Sequence, residues 1–225
     1  MSTTTPRFLI ENHGPDANAI RTAFSELYRT CSQMGIDEIT LLVPSKGSFP
    51  STVVGQFLGK KVSDALCKGD NVSITSTLRM NLQTARKFEQ YRQYGMLFGV
   101  YLSKGDCQTL DSATSVRGIA LLPWTEKEGK DWQSIWNPAV LGAIAWTPVP
   151  TPLHPDVEAA LLQLTGRVNL SSGLKHPLDK QAAKETFAKL KLSSHILDAD
   201  VIRQWATRNG WQPKDAQELG DLSRR

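Results

Sequence analysis

The chain has 225 residues, of which 40% are hydrophobic and 21% are charged, and its formal net charge is +4 at pH 7. This length and composition suit one large α/β domain, or a medium domain with a small appendage. The charge is too modest to indicate a dedicated nucleic-acid module, and the longest apolar stretch, residues 139–146, is far shorter than the roughly 20 residues that span a bilayer.

The amino-terminal residues and the cysteines predict a cytoplasmic protein with no membrane partner. Residues 1–6 have neither the basic region nor the apolar region of a secretory signal. Cys31, Cys67 and Cys107 are odd in number and lie far apart, as is typical of reduced thiols. No pair of them has metal-ligand spacing, and only four histidines could add nitrogen ligands. We therefore expect no metal site.

Strands alternate with helices along the first two thirds of the chain. Five apolar runs end in small polar or charged residues and precede helical stretches: 8–10, 39–43, 72–74, 96–102 and 119–122. A last strand is expected over residues 140–146. This alternation predicts a mostly parallel sheet covered by helices on both faces. We expect a doubly wound, Rossmann-like α/β domain with five or six strands over residues 1–147.

Apolar residues repeating at spacings of three and four predict the helices between these strands. The predicted helices are 20–34, 52–67, 82–94 and a short one at 132–136. The segment 106–117 is short and polar, so a full helix is not expected there. The charged segment 126–131 is interpreted as a solvated loop.

The composition changes at residues 147–155, where four prolines fall within nine residues. Such a segment is stiff and extended, so it marks a domain boundary, and we place a proline-rich linker at 148–155. Beyond it the pattern is purely helical and predicts a helical module over 156–225. Its predicted helices are 156–164, 177–192, a third capped by Asp198 and closed at Asn209, and a fourth from Pro213 to about Leu222.

The polar residues that follow the strands mark the candidate site, because ligands of such sheets sit outside the carboxyl ends of the strands. Ser45, Lys46 and Ser48 offer two hydroxyls and an ammonium to a phosphate. The alternative is that this segment is only a tight surface connection. Three further polar residues are expected across the same crevice: Ser76, Ser103 and Lys104.

Glu11 and His13 follow the first strand and, being two residues apart, could face the crevice together. A histidine beside a carboxylate can serve as a general base near neutral pH. If the protein is an enzyme, this is the acid–base pair; otherwise the segment only shapes the turn before Pro15. The cofactor stays unidentified, because residues 55–61 lack the spacing of a P-loop and no G-x-G-x-x-G occurs.

These residues predict a ligand-binding domain for a phosphate-bearing small molecule, such as a nucleotide, with the helical module docking a protein partner. The alternative is a non-enzymatic subunit of a nucleic-acid-associated assembly that binds phosphates through the basic stretch 60–92. The cations of this stretch are Lys60, Lys61, Arg79, Arg86, Lys87 and Arg92. A solvated helix face would give the same pattern.

Four tryptophans, Trp124, Trp132, Trp136 and Trp146, lie within 23 residues of one another. Tryptophan is enriched in the hot spots of protein interfaces, so these residues could form a docking patch for a protein partner. The favoured interpretation is that they pack between the sheet and the carboxyl-terminal helices. A purely structural protein with an empty crevice is a third possibility.

Overall fold

The structure is a computed structural model, and it describes residues 5–89, 92, 94–113, 115–141 and 152–224. These residues divide into two compact units. The first, here called the sheet unit, contains the described residues up to 133 together with 137–141. The second, here called the helical unit, contains Ser134–Trp136 and residues 152–224.

The described part of the sheet unit contains one seven-stranded sheet. Its strands are β1 (Arg7–Ile10), β2 (Glu38–Val43), β3 (Val72–Ser73), β4 (Arg79–Thr84), β5 (Tyr94–Val100), β6 (Val116–Leu122) and β7 (Ala139–Leu141). They lie in the order β3-β4-β2-β5-β6-β1-β7. All neighbouring pairs are parallel except β3 and β4, which are antiparallel. The sheet is therefore mixed and mostly parallel, with an antiparallel strand at one edge.

The α-helices that follow these strands are α1 (Ala17–Met34), α2 (Val53–Leu58), α3 (Lys60–Lys68), α4 (Lys104–Asp111) and α5 (Glu126–Trp136). Apolar residues of α1, α2 and α3 pack against one face of the sheet, where Leu41 and Phe98 lie in the main core. Gly99 neighbours Phe98 and faces the other side, where a Cβ atom would lie 3.0 Å from Leu110 of α4. Helix α4 thus packs against the second face of the sheet near Gly99.

The helix predicted over residues 82–94 is wrong. The structure has β4 over Arg79–Thr84, followed by a short 3-10 helix over Ala85–Lys87. Met80 and Leu82, two residues apart, both enter the main core, which is strand periodicity. The polar residue between them, Asn81, is also buried and donates to Glu38 Oε1. The helix prediction rested on apolar residues at spacings of three from Leu82 onward, whereas Met80 and Leu82 alternate with the polar residues Asn81 and Gln83.

The charged segment 126–131, predicted as a loop, forms the first turns of α5. The Thr125 hydroxyl accepts a hydrogen bond from the Glu128 N–H at 3.2 Å, and Glu128 Oε2 accepts one from the Thr125 N–H at 3.0 Å. This reciprocal capping box satisfies two N–H groups at the start of the helix. Lys130 and Glu126 add an ion pair one turn apart, at 2.6 Å.

Three other predictions are adjusted. The helix expected over 52–67 is two helices, α2 and α3, because Gly59 lies between them at φ 82°. The polar segment 106–117 contains the last six of the eight residues of α4, which begins at Lys104. The strand expected over 140–146 is seen as β7 at Ala139–Leu141, and its remaining residues lie outside the described part of the chain.

The helical unit contains α6 (Pro155–Thr165), α7 (Pro177–Leu192), α8 (Ala199–Arg208) and α9 (Pro213–Arg224). These helices confirm the predicted helical carboxyl-terminal region. They enclose a core of their own that includes Leu161, Phe187 and Trp205. The predicted cap is also confirmed, since the Asp198 carboxylate accepts hydrogen bonds from the N–H groups of Asp200 and Val201. Of the predicted linker, residues 148–151 lie outside the described residues.

Candidate functional site

A cavity of about 340 Å³ opens in the sheet unit at the carboxyl ends of β2 and β5. Here it is called the Tyr101–Trp124 pocket. Its apolar wall is formed by Val43, Phe49, Val53 and Val100, its aromatic wall by Tyr101 and Trp124, and its hydroxyl-bearing wall by Ser45, Ser48, Ser51 and Thr52. The pocket therefore combines apolar and aromatic side chains with hydroxyl groups. The hydroxyls of Ser51 and Thr52 already donate to the carbonyls of Ser48 and Phe49.

The position of this pocket follows from the path of the chain. After β2, the chain passes through α2 and α3 to β3 and β4, on one side of β2 in the sheet. After β5, it passes through α4 to β6, on the opposite side of β5. Because β2 and β5 are neighbours, their outgoing connections separate and leave a crevice between them.

Tyr101 and Trp124 are fixed against each other at the mouth of the pocket. Tyr101 follows β5 with a left-handed backbone (φ 53°), and its ring meets the Trp124 ring edge to face, with centroids 5.0 Å apart. The Tyr101 hydroxyl donates to the Gly14 carbonyl at 2.8 Å. Burial, with a smaller contribution from Asp16, raises the pKa of Tyr101 to about 12. Trp124 remains 47% exposed, so its ring is accessible to a ligand.

The segment 44–48 contributes to the pocket, but not through all the residues predicted. Ser45 and Ser48 line it, whereas Lys46 is half-buried and is not among the lining residues. The Lys46 carbonyl accepts hydrogen bonds from the Phe49 N–H and the Cys67 thiol, each at 3.3 Å. The backbone of this turn is thus held in place while its two serines are exposed.

Ser76 does not lie at the rim expected for it. It follows β3, which runs antiparallel to β4, so it lies at the amino end of β4. The carboxyl ends of β2 and β5 lie at the other end of these parallel strands. A six-residue strand is about 20 Å long, so Ser76 lies roughly that far from the pocket. The predicted placement of Ser76 across the crevice is therefore wrong, because it rested on β3 being parallel to the other strands.

Ser103 follows β5 but is not among the described residues that line the pocket. Ser103 caps α4: its hydroxyl donates to Asp106 Oδ2 at 2.7 Å and accepts from the Asp106 N–H at 3.2 Å. The side chain of Lys104 lies outside the description. The hydrogen bonds of Ser103 explain its position by local structure alone.

Glu11 and His13 are exposed and follow β1, which is separated from β5 by β6. Neither residue lines the Tyr101–Trp124 pocket. Their loop is attached to the end of β6, since the Gly14 N–H donates to the Pro123 carbonyl at 3.4 Å. The role of Glu11 and His13 as an acid–base pair stays a prediction.

The cations of the basic stretch are distributed over several elements of the sheet unit. Arg79 begins β4, whereas Arg86 and Lys87 follow its carboxyl end. Lys60 is paired with Asp64 at 2.7 Å, and the Arg92 guanidinium lies 5.5 Å from the centre of the Tyr94 ring. Lys61 is exposed on α3. A nucleic acid would have to contact these cations at separate places on the sheet unit.

The tryptophans differ in their surroundings. Trp132 is 3% exposed, and its indole N–H donates to Asp111 Oδ1 at 2.8 Å, within the sheet unit. Trp124 lines the pocket, and Trp146 lies outside the described residues. Sequence reasoning missed Tyr101 and Trp124 as site residues. The available signal was that each aromatic residue comes within two positions of the end of a central strand, β5 or β6.

Comparison with known proteins finds one match. Residues 153–225 match the family described as a domain of unknown function, DUF1889. This segment is about a third of the chain and corresponds to α6–α9 of the helical unit. No curated protein and no solved structure matches the chain.

Proposed function

We propose that this chain is a cytosolic ligand-binding protein, and that its doubly wound, Rossmann-like sheet unit binds a small molecule carrying a flat ring and a phosphate. A nucleotide has both features. The observation that carries this proposal is the Tyr101–Trp124 pocket, which opens where the connections after β2 and β5 separate. Open α/β sheets bind their ligands at such points.

The walls of the pocket suit the ring of such a ligand. Its volume of about 340 Å³ falls within the range of about 300–1,000 Å³ typical of small-molecule pockets. Stacking of a base on an aromatic side chain contributes about 1–3 kcal/mol and does not depend on which base is bound. Trp124, with nearly half its surface exposed, is the side chain best placed for this contact.

The phosphate would lie at the rim formed by residues 44–48. None of the described residues that line the cavity is charged, so a phosphate inside it would lack a counter-charge. At the rim, the hydroxyls of Ser45 and Ser48 could donate to phosphate oxygens, and Lys46 could supply the positive charge. The ligand would then place its ring inside and its phosphate outside.

Titration of the full chain with adenosine, adenosine 5′-monophosphate and inorganic phosphate tests this arrangement. We expect the nucleotide to bind more tightly than either part alone and to raise the melting temperature. Trp124→Ala should weaken both adenosine and nucleotide binding. Tyr28→Ala is the matched control, since Tyr28 is 45% exposed on α1 and does not line the pocket.

A second pair of variants isolates the phosphate. Lys46→Gln should weaken nucleotide binding but leave adenosine binding unchanged, whereas Lys61→Gln, an exposed lysine on α3, should change neither. If no nucleotide stabilises the protein at concentrations far above a micromolar affinity, the pocket is not a nucleotide site. Binding of RNA that weakens steeply with salt and depends on Arg86 and Lys87 would instead favour the nucleic-acid alternative.

The helical unit is proposed to dock a protein partner. Large apolar side chains near the end of α7 support this, since Leu192 is 86% and Ile196 is 94% exposed. Leu192 and Ile196 are only four positions apart in the chain, so one partner surface could cover both. A partner that co-purifies with the wild type should be lost from Ile196→Lys and retained by Trp124→Ala; retention by both variants would exclude this surface.

A further inference from the structure

Two histidines and an aspartate meet on the surface of the helical unit. Both the His154 Nδ1 atom and the His195 Nε2 atom lie 3.6 Å from Asp156 Oδ2. The two imidazole rings are 4.6 Å apart between centroids. Each of the three side chains can offer one ligand atom, and the three atoms lie within 4.8 Å of one another. This group is here called the His–Asp–His cluster.

The local structure brings these side chains together from distant parts of the sequence. His154 is the N-cap of α6, Pro155 begins the helix, and Asp156 lies in its first turn. His195 lies beyond the end of α7, where Ser194 takes a left-handed conformation (φ 61°) and the His195 N–H donates to the Leu190 carbonyl at 3.1 Å. The backbone hydrogen bond holds the turn that directs His195 toward α6.

We propose that the His–Asp–His cluster binds a divalent transition-metal ion, for which Zn²⁺ is the probe of choice. Imidazole nitrogen and carboxylate oxygen are the ligands that Zn²⁺ takes in three-residue sites. Tetrahedral ligands about 2.1 Å from zinc lie about 3.4 Å apart, close to the two 3.6 Å separations observed. Three protein ligands leave one tetrahedral position for water or another ligand.

The charge and exposure of the cluster also suit a cation. With both histidines neutral, the Asp156 carboxylate gives the cluster a negative charge. The Asp156 side chain is 70% and the His154 side chain 57% exposed, so a metal ion can reach them from solvent. The His195 side chain is less exposed, at 16%. It would be the most constrained of the three ligands, and the two exposed side chains would adjust to it.

One side chain of the cluster also caps a helix, and a bound metal ion would replace that capping hydrogen bond. The His154 Nδ1 atom accepts a hydrogen bond from the Asp156 N–H at 3.3 Å, which caps α6. Because Asp156 is exposed, water can satisfy its N–H when a metal ion takes the Nδ1 lone pair of His154. A bound ion would instead connect the start of α6 to the segment that follows α7.

The metal site is independent of the proposed nucleotide pocket. All three ligands lie in the helical unit, within the residues that match DUF1889. The sequence prediction of no metal site rested on the cysteine spacing and on the presence of only four histidines. His154 and His195 are 41 residues apart in the chain and form no recognisable ligand motif. Only the fold brings His154 and His195 together.

Calorimetric titration of the tag-free full chain with Zn²⁺ tests the proposal, with Co²⁺ absorbance as a report of ligand geometry. We expect about one equivalent to bind, a rise in melting temperature, and visible Co²⁺ bands of a low-coordinate site. His154→Ala, at an exposed position, and His195→Gln should each lower the affinity for Zn²⁺ at least about tenfold. His176→Ala is the matched control, since His176 is exposed outside the cluster and makes no side-chain cap.

Circular dichroism of each variant separates loss of the site from loss of the fold. Zn²⁺ binding that disappears in His154→Ala with helical content intact, and persists in His176→Ala, supports the cluster as the site. Equal binding by His154→Ala, His195→Gln and the wild type would overturn the proposal. So would the failure of wild-type protein to bind Zn²⁺.

Discussion

The sheet unit and the helical unit build their cores in different ways. In the sheet unit, strands meet neighbours that are not adjacent in sequence: β2 lies between β4 and β5, and β1 between β6 and β7. In the helical unit, consecutive helices such as α8 and α9 pack closely. In the sheet unit, the Tyr101–Trp124 pocket opens where the connections after two strands separate. In the helical unit, the His–Asp–His cluster forms where the ends of two helices meet. Each unit therefore carries a candidate site of its own kind.

The largest expected effect concerns the separation of the two cores. Phe98 and Phe187 are almost fully buried, each in one of the two hydrophobic clusters. Phe98→Ala should destabilise the sheet unit, and Phe187→Ala the helical unit, by about 3–5 kcal/mol each. Hydrogen exchange read by mass spectrometry locates the loss of protection. Equal loss in both units from either change would mean that they unfold as one.

A smaller effect compares glycines in the helices of the two units. A Cβ atom at Gly220 of α9 would lie 2.6 Å from the Ala199 carbonyl oxygen, so Gly220→Ala should destabilise the helical unit by about 1–3 kcal/mol despite its better helix propensity. At Gly105 in α4 the nearest atom would be 3.8 Å away. Gly105→Ala should therefore be neutral or slightly stabilising in denaturant titrations. A neutral or stabilising effect of Gly220→Ala would contradict the packing described for α8 and α9.

The helix caps should contribute equally in both units. Asp198 accepts two backbone hydrogen bonds at the start of α8, and Thr125 forms the capping box of α5. Replacing either with alanine should cost about 1 kcal/mol in chemical denaturation. Replacement by asparagine at 198 and serine at 125 should restore most of that stability. A negligible effect at 125 would show that α5 is held by packing alone.

The smallest effect is a pH dependence confined to the sheet unit. Tyr101→Phe removes the hydrogen bond to the Gly14 carbonyl and should cost about 0.5–1.5 kcal/mol at neutral pH. The pKa of Tyr101 is raised from 10.0 to about 12 in the folded protein, so its contribution is complete below pH 10 and is lost as the pH rises toward 12. The free energies of unfolding of the wild type and the variant should therefore converge between pH 10 and pH 12. A difference that stays constant over this range would contradict the raised pKa of Tyr101.

How much the sequence predicts also differs between the units. In α7 and α8, the signals are local: Pro177 at the first turn, Asp198 at the cap, and apolar residues at helical spacing. Such signals need no knowledge of the rest of the fold. In β4, the burial of Asn81 depends on Glu38 of a neighbouring strand, 43 positions away in the chain. The antiparallel pairing of β3 with β4 is local by contrast, since Val72 lies opposite Met80.

In the candidate sites, too, the sequence predicts features set by neighbouring residues and misses contacts between distant ones. The exposed serines of residues 44–48 could be predicted, because they directly follow a strongly apolar strand. Tyr101 and Trp124 meet only because β5 and β6 are adjacent and parallel. The capping box Thr125–Glu128 was visible in the sequence as a Thr-x-x-Glu pattern and was overlooked among charged residues.

The central claim is that the Tyr101–Trp124 pocket holds a ring and presents a phosphate to residues 44–48. A crystal structure of the full chain grown with adenosine 5′-monophosphate tests it most directly. We predict electron density for the base against Trp124 and for the phosphate within hydrogen-bond distance of Ser45, Ser48 or Lys46. Nucleotide density at another surface, with this pocket holding only water, would contradict the account.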